Sequence, residues 1–463
     1  MNKNSNDLIF SLHQINSSDV KKELGINFES SYKNAWVERA HKFVSSFDSF
    51  IFQIDEEDVS YINDLRPGDH IALWPKNITS VKEFVKRMIN IPKDIHESEV
   101  HEVLDGKDLA LPLIDVHLEA LLKVCPKGED AYHILYRTLQ DHPRNYPSVE
   151  ELVSMLQPAS IPFSWLKDHA PSMMPRFFSV ASILRKNRTV SVLQSMVQHN
   201  SGKTGTASRW LRAMRSGERA LAKFCQSEFH LPSNQICPII CVSAGSGISP
   251  FRSFWASNAR NPFYLFYGTK TVDTLPFSQE LENLSRFGHM KYFLAFSQEP
   301  GKDKKYVQDL LKENKDLILP ILLSEDPCRI FVCGFPAMES AVRVALIVMM
   351  AEGNDEYKGL GIFRATQRLA ILKNKNIYIA EVYGVNKFDN EGLEMMWKAA
   401  LEKVAKISQS LENHRIPRRR QERRTLMSRY SSSITLGTNR LIDGLDESFH
   451  SWKSALNVAN VDE

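Results

Sequence analysis

The sequence predicts a β domain interrupted by a helical insertion, then a doubly wound α/β domain, then a helical and disordered C-terminal tail. Three observations predict it. Strand-like text near Phe50–Ile54 and His70–Trp74 resumes only at Phe177–Ser182 and Val190–Val197, with helical patterns between. Apolar strand-length runs alternate with helical runs from Ile239 to Val382, which argues for a parallel sheet. The excess charge lies in the last segment.

In chain order, Phe50, Phe52 and Ile54 alternate with Ile51 and Gln53, and Arg66-Pro67-Gly68-Asp69 is a turn that launches the His70–Trp74 strand. Before them, Val20–Leu24 suits a short helix. Helices are predicted at Val81–Ile89, Ile114–Val124 and Val149–Leu156. In the second domain the strands are Ile239–Val242, Phe263–Tyr267, Tyr292–Phe296, Ile330–Cys333 and Ile377–Val382. The helices between them are Pro250–Ser257, Ser278–Arg286, Val307–Leu323 and Met338–Ala351. Ligands of such sheets bind beyond the carboxyl ends of the strands. That rule selects Ser243–Gly247, Gly268–Lys270, Ser297–Lys304, Gly334–Phe335 and Glu381–Tyr383 on one edge. In the tail, Leu393, Trp397, Ala400, Val404, Ile407 and Leu411 form one apolar helical seam, followed by an arginine-rich, solvated run from Arg415.

At 463 residues the chain exceeds one ordinary core, and about three domains are expected. A composition of 43% hydrophobic and 24% charged residues excludes collagenous, disulfide-scaffold and wholly disordered classes. The longest apolar runs fall well short of the roughly 18 residues of a membrane span. With no hydrophobic leader at Met1-Asn2-Lys3, a cytoplasmic home is expected. The net charge of +3 resides in residues 415–463, leaving the body balanced and without a basic surface for nucleic acid. The six cysteines form no Cys-x-x-Cys pair, so no metal is expected.

The strongest local motif is Ser243-Ala244-Gly245-Ser246-Gly247-Ile248-Ser249-Pro250-Phe251-Arg252. A strand ends, glycines let the backbone turn closely, and a helix start suited to phosphate follows, with Arg252 able to add a charged contact. The same residues would also serve as a plain strand–helix turn. Gly205-Thr206-Ala207-Ser208 again places small residues at a helix start, and Arg176-Phe177-Phe178-Ser179 combines a cation, stacking aromatics and a hydroxyl. Singly, each also reads as ordinary core and surface.

Together, and in this order, these motifs resemble the ferredoxin–NADP reductase-like half of the diflavin reductases, and within it the reductase region of nitric oxide synthases. Further carriers are Arg66–His70, Phe229-His230-Leu231-Pro232, Pro250–Trp255, Lys304–Asp309, Phe331–Gly334 and Val382–Val385, and the resemblance covers roughly residues 40–388. It implies an antiparallel FAD-binding β-barrel (40–76 and 172–234) with a helical connecting subdomain (77–171). An NADP-binding α/β domain (235–388) follows, between a leader (1–39) and a helix with an arginine-rich tail (389–463).

By the same resemblance Arg176 would contact the flavin pyrophosphate, Phe178 would stack on the ring beside Phe177, and Ser179 would lie near its reactive nitrogen. Gly205, Thr206, Ala207 and Ser208 would hold FAD phosphate, and Tyr383 would shield the ring. Ser179, Cys333, Glu381 and Tyr383 would form the catalytic set. Gly245, Ser246, Gly247, Arg252, Lys270, Ser297, Gln298, Lys304, Tyr306, Gln308 and Cys333 would line the NADP site. The implied activity is an FAD-containing reductase that takes hydride from NADPH, with NADH as an alternative donor. Its electrons would pass to a separate FMN- or haem-containing acceptor.

Departures stand beside these matches. Phe177 and Phe178 replace tyrosines, Gln298 and Phe388 replace arginines that grip the 2′-phosphate, Phe335 replaces an acidic residue, and Glu381 replaces an aspartate. Glutamine cannot reproduce a bidentate guanidinium–phosphate pair. With about 40 residues ahead of the first expected strand, the chain is expected to lack the FMN and oxygenase domains needed to make nitric oxide. The rival expectation is a weakened relative that binds or regulates a partner. The basic tail, with Arg424–Ser428 and Tyr430–Ser433 resembling kinase sites, would then engage that partner.

Overall fold

The structure is a computed structural model, and it describes residues 33–42 (backbone), 47–54, 59–125, 129–141, 146–196, 204–233, 235–257 and 260–383. Contacts divide the chain into residues 1–20 with 401–463, and residues 21–400; every described residue belongs to the second unit. The expected Val20–Leu24 helix, the tail seam, the arginine-rich run, Lys387 and Phe388 lie outside the described residues.

The chain begins with β1 (Lys33–Lys42), β2 (Phe47–Ile54), α1 (Val59–Asp64) and β3 (His70–Trp74). The insertion follows as α2 (Thr79–Met88), β4 (Ile89–Asn90), α3 (Glu97–Gly106), α4 (Asp115–Val124), α5 (Asp130–Asp141), α6 (Val149–Met155), β5 (Ile161–Pro162) and α7 (Phe163–His169). The first sheet then resumes with β6 (Arg176–Leu184), β7 (Thr189–Ser195), α8 (Thr206–Ala213) and β8 (Arg219–Cys225). The second half runs β9 (Ile239–Ala244), α9 (Ser249–Ala256), β10 (Phe263–Thr269), α10 (Ser278–Arg286), β11 (Met290–Phe296), α11 (Val307–Glu313) and α12 (Lys315–Leu323). It ends with β12 (Arg329–Gly334), α13 (Pro336–Glu352), α14 (Ile362–Asn374) and β13 (Tyr378–Val382).

The antiparallel strands close in the order β1-β2-β7-β6-β3-β8, β1 pairing with both β2 and β8. The ring starts at Lys33, earlier than the expected residue 40, because this polar segment is defined by its backbone partners on both sides. Phe50, Phe52, Ile71, Leu73, Val180, Val190 and Val192 fill its interior, and α8 plugs one side with Trp210 and Leu211. The insertion has its own core around Leu104, Leu118, Leu135, Leu152 and Trp165.

The second sheet is entirely parallel, in the order β11-β10-β9-β12-β13. Its central strands are apolar on both faces, as a sheet covered by helices on both sides requires. Ile240, Val242, Ile330 and Val332 pack toward α11–α14, whereas Ile239, Cys241, Phe331 and Cys333 pack toward α9 and α10. The α9-side core also takes in Phe47, Leu193 and Phe229 from the first half. One continuous apolar layer therefore joins the two sheets.

The Arg66–Asp69 turn is fixed at that junction. Asp69 accepts from the Arg66 N–H at 2.7 Å, and the Gly68 N–H donates to Ser253 Oγ of α9 at 3.0 Å. Gly68 adopts φ +99, and a Cβ there would lie 1.7 Å from the Phe229 carbonyl oxygen. Only glycine fits both the backbone angle and the space.

Candidate functional site

All five parallel strands end on one edge, which gathers the segments after β9–β13. The β9 end turns through Gly245 at φ +60 into a single helical turn and then α9, with Pro250 in its first turn. Tyr267 Oη donates to the Gly245 carbonyl at 2.9 Å, and Tyr383 Oη donates to the Ala244 carbonyl at 3.1 Å. Ser246 Oγ bridges from Ser195 of the barrel (3.2 Å) to Tyr383 Oη (3.3 Å). Gly247 permits the closest approach in this region, since a Cβ there would meet the Cys333 carbonyl oxygen at 2.3 Å. The Tyr383 ring stacks obliquely on Phe335, centroids 5.3 Å apart.

Cys333 pairs in register with Ser243 on one side and Glu381 on the other, so these three side chains share a sheet face. Burial, reinforced by the Glu381 charge, pushes the Cys333 thiol well above its ordinary value, so it stays protonated. Burial likewise raises Tyr383, helped by Cys333. Ser243 Oγ is buried without a hydrogen-bond partner among the described residues.

Glu381 reaches across to the barrel. Its Oε1 accepts from Ser227 Oγ at 2.9 Å, and Oε2 lies 3.2 Å from His70 Nε2, an ion-pair distance without good hydrogen-bond alignment. His70 in turn sits opposite Ser179 in the β3–β6 register. Burial alone would lower His70, but Glu381 and the Asp69 charge outweigh it and raise its value. Beside it, burial would raise Asp69, yet hydrogen bonds from His230 (2.8 Å), the Arg66 N–H and the Ser227 N–H (2.9 Å) hold it low. The junction thus holds one neutral thiol, two carboxylates and a histidine inclined to keep its proton.

The barrel-side residues lie nearby with uneven fit. Phe178 is half-buried against the barrel core, Phe177 is 41% exposed, and Ser179 is half-buried. Gly205 precedes α8 in an extended conformation; Thr206 and Ser208 are buried, Ala207 is half-buried, and Ser208 accepts from Gln194 at 3.0 Å. Arg176 donates to the Met174 carbonyl at 2.7 Å and pairs with buried Asp108 at 2.5 Å, while Thr206 Oγ1 donates to the other Asp108 oxygen.

Arg252 is also engaged within the protein. It forms a fork with Glu280 (2.7–3.2 Å), which also receives Trp255 Nε1, and it reaches Ala181 O and Ser191 Oγ of the barrel at 3.4 Å each. The structure gives Arg252 a bridging position between sheet and barrel, away from a free phosphate-gripping pose. Lys270, Gln298, Lys304 and Tyr306 are exposed at the ends of β10 and β11, with Ser297 half-buried among them and Gln308 half-buried on α11. The Gln298 N–H is tied to Lys270 O at 2.8 Å and the Ser297 N–H to Thr269 O at 3.0 Å, which fixes this lip. A separate cavity of about 250 Å³ beside Glu228, Lys373 and Tyr378 adjoins the early part of β13, away from the carboxyl edge.

An NADP(H) fits the exposed lip, and the partnerless Ser243 hydroxyl and the Tyr383–Phe335 aromatic pair suit the ring end. For a flavin ring, Phe178 offers a half-buried aromatic face and Ser179 a half-buried hydroxyl. A flavin does not fit at its phosphate end as the side chains stand, because Asp108 holds both Arg176 and Thr206.

The fold and the edge define a two-domain, reductase-like protein, and residues 241–344 match the oxidoreductase NAD-binding domain family. The chain is similar to the ferredoxin–NADP reductase-like, NADP-binding region of nitric oxide synthases. It is 26% identical over 382 residues to nitric oxide synthase of Bombyx mori, covering 69% of this chain and 31% of that protein. It is 25% identical over 378 residues to nitric oxide synthase 3 of Sus scrofa, with the same shares of 69% and 31%. A nitric oxide synthase-like protein of Bombyx mori is 26% identical over 399 residues, 73% of this chain and 35% of that one. The chain spans about a third of the length of the curated relatives it matches. No helix among the described residues is long and apolar enough to cross a membrane, and among the same residues no cluster of three or more His, Cys, Asp or Glu side chains is arranged to hold a metal ion.

Asp108, Ser227, Glu280 and the bridging Ser195 escape the sequence reading. Each acts through a partner at least 25 residues away, and no local pattern marks it. Asp69, His70 and His230 stand within motifs that carry the resemblance, but the pairings of His230 with Asp69 and of His70 with Glu381 appear only in three dimensions.

Proposed function

We propose that this chain is an NAD(P)H-dependent, flavin-using reductase module that passes electrons to a separate FMN- or haem-containing acceptor. The observation that carries it is the contact of Glu381, which stands beside Cys333 at the sheet edge, with His70 of the barrel, which lies opposite Ser179 in register. When bound, a flavin would accept hydride from the nicotinamide and release electrons singly; that chemistry belongs to the cofactor. The chain's part is to position and to exclude water. Phe178 offers an aromatic face and Ser179 a hydroxyl. With a flavin bound, Tyr383 would shield the ring and would have to move before the nicotinamide could stack. Glu381 and His70 hold a proton at the junction. Lys270, Ser297, Gln298, Lys304 and Tyr306 receive the adenosine end, with Gly245–Gly247 letting the backbone come close to the diphosphate. Cys333 remains a neutral, compact group beside the ring.

Anaerobic NADPH added to the purified, FAD-supplemented full chain tests this reading. Loss of flavin absorbance within seconds to minutes supports it, and unchanged absorbance with both NADPH and NADH refutes it. A second reading, a reductase-like module with weakened turnover that binds a partner, is favoured by the pairing of Arg176 with Asp108 and by Gln298 and Phe335 at the nucleotide edge.

A further inference from the structure

We propose that Asp108 is an internal stand-in for a phosphate: it neutralises the flavin-phosphate pole of this chain, and flavin binds only by displacing it. This inference rests on the flavin reading above. Asp108 is 1% exposed, on the segment that links α3 to α4 of the helical insertion. Its segment is anchored, its N–H donating to Pro171 O at 2.8 Å and its Oδ1 accepting from the Ala110 N–H at 3.3 Å. Both carboxylate oxygens point at groups expected to receive a pyrophosphate, Oδ2 at Arg176 (2.5 Å) and Oδ1 at the Thr206 hydroxyl.

Carboxylates and phosphates seek the same guanidinium and hydroxyl donors. A pyrophosphate approaching Arg176 would therefore compete for its donors and face a buried like charge. The rest of α8 offers no surplus cation in compensation. Arg209 pairs with buried Glu150 through both oxygens, and Arg212 pairs with buried Asp48 at 2.6 Å. Asp108 and Glu150 come from the helical insertion and Asp48 from the barrel strand β2, so the insertion supplies two of the three anions that complete this helix without any cofactor. Asp108 would thereby set flavin affinity while touching neither the ring nor the nicotinamide.

The test uses the full chain with FAD and with riboflavin, which has the same ring and no phosphate, each titrated by flavin fluorescence quenching. Asp108→Asn removes the charge and keeps the shape, and its melting curve reports on folding. The expected result is FAD affinity raised at least about tenfold with riboflavin affinity unchanged. A wild type that binds FAD, with Asp108→Asn binding it no better, overturns the inference and leaves the reductase reading standing. Failure of both proteins to bind either flavin overturns both. Hydrogen exchange on the wild type does not depend on the variant's folding. Saturating FAD should speed exchange across residues 104–112 as Asp108 is displaced, and unchanged or slower exchange there overturns the proposal.

Discussion

Replacing Phe229 by alanine should separate barrel from sheet energetically. The side chain is fully buried, and its ring lies 4.7 Å from Phe331, 5.7 Å from Phe251 and 5.9 Å from Phe254. Phe→Ala in a core costs roughly 3–5 kcal/mol, depending on how far the surroundings collapse. Collapse is restricted here. The Phe229 N–H is held by Ser227 Oγ at 2.7 Å, and the rigid Gly68 turn presses on its carbonyl. Each lost aromatic pair adds about 0.5–1.5 kcal/mol beyond area burial. The expected loss therefore lies in the upper part of the range, about 4 kcal/mol. At roughly 2.1 cal/mol/K of unfolding entropy per residue, a unit spanning residues 21–400 should lose about 5 °C of melting midpoint. Urea unfolding followed by tryptophan fluorescence, which reads Trp255 in the same cluster, and by circular dichroism measures it. A loss below about 1.5 kcal/mol would refute the claim that this aromatic layer couples the two sheets.

Gly68→Ala should destabilise by at least about 2 kcal/mol in the same assay, since the new methyl is both strained at positive φ and driven into the Phe229 carbonyl. Glu381→Gln should lower the His70 titration midpoint, read by NMR, because burial is then opposed by the Asp69 charge alone. The sign for stability follows. Raised His70 stabilises the wild type fully below its ordinary value of 6.5, and this contribution is lost as pH rises through the folded value. Low-lying Asp69 contributes above its ordinary value of 3.8, and that contribution is lost as pH falls through the folded one. Gln298→Arg should tighten binding of 2′,5′-ADP about tenfold or more and leave 5′-AMP unchanged in calorimetric titration, because one charged hydrogen bond contributes about 1.5–3 kcal/mol.

The parallel sheet was readable because its buried strands are uninterrupted apolar runs. Ile239–Val242 and Ile330–Cys333 mark positions in β9 and β12. Weaker cues hid other elements. Ala220 and Ala222 supply the buried face of β8, too small to register as strand-like, and α14 shows its core face only through Ala365, Leu369 and Leu372. The predicted Val307–Leu323 helix is two, broken at Asn314, whose side chain caps Leu310 O at 2.9 Å. At the site, local motifs identified the edge residues because glycine turns and strand ends are encoded nearby in sequence. The partners of Arg176 and Arg252 were not readable. A charge on an arginine announces that some anion is needed, but whether Asp108, Glu280 or a phosphate supplies it depends on chain packing across tens of residues.

The opening strand has a practical meaning for anyone dissecting this protein. Among the described residues, it is 33–42 that keep β2 and β8 from presenting bare amide edges on that side. Exposed edges recruit other chains. A fragment cut to begin at residue 43 would thus be a sticky, open ribbon, and its failure to bind any nucleotide would say nothing about the intact molecule.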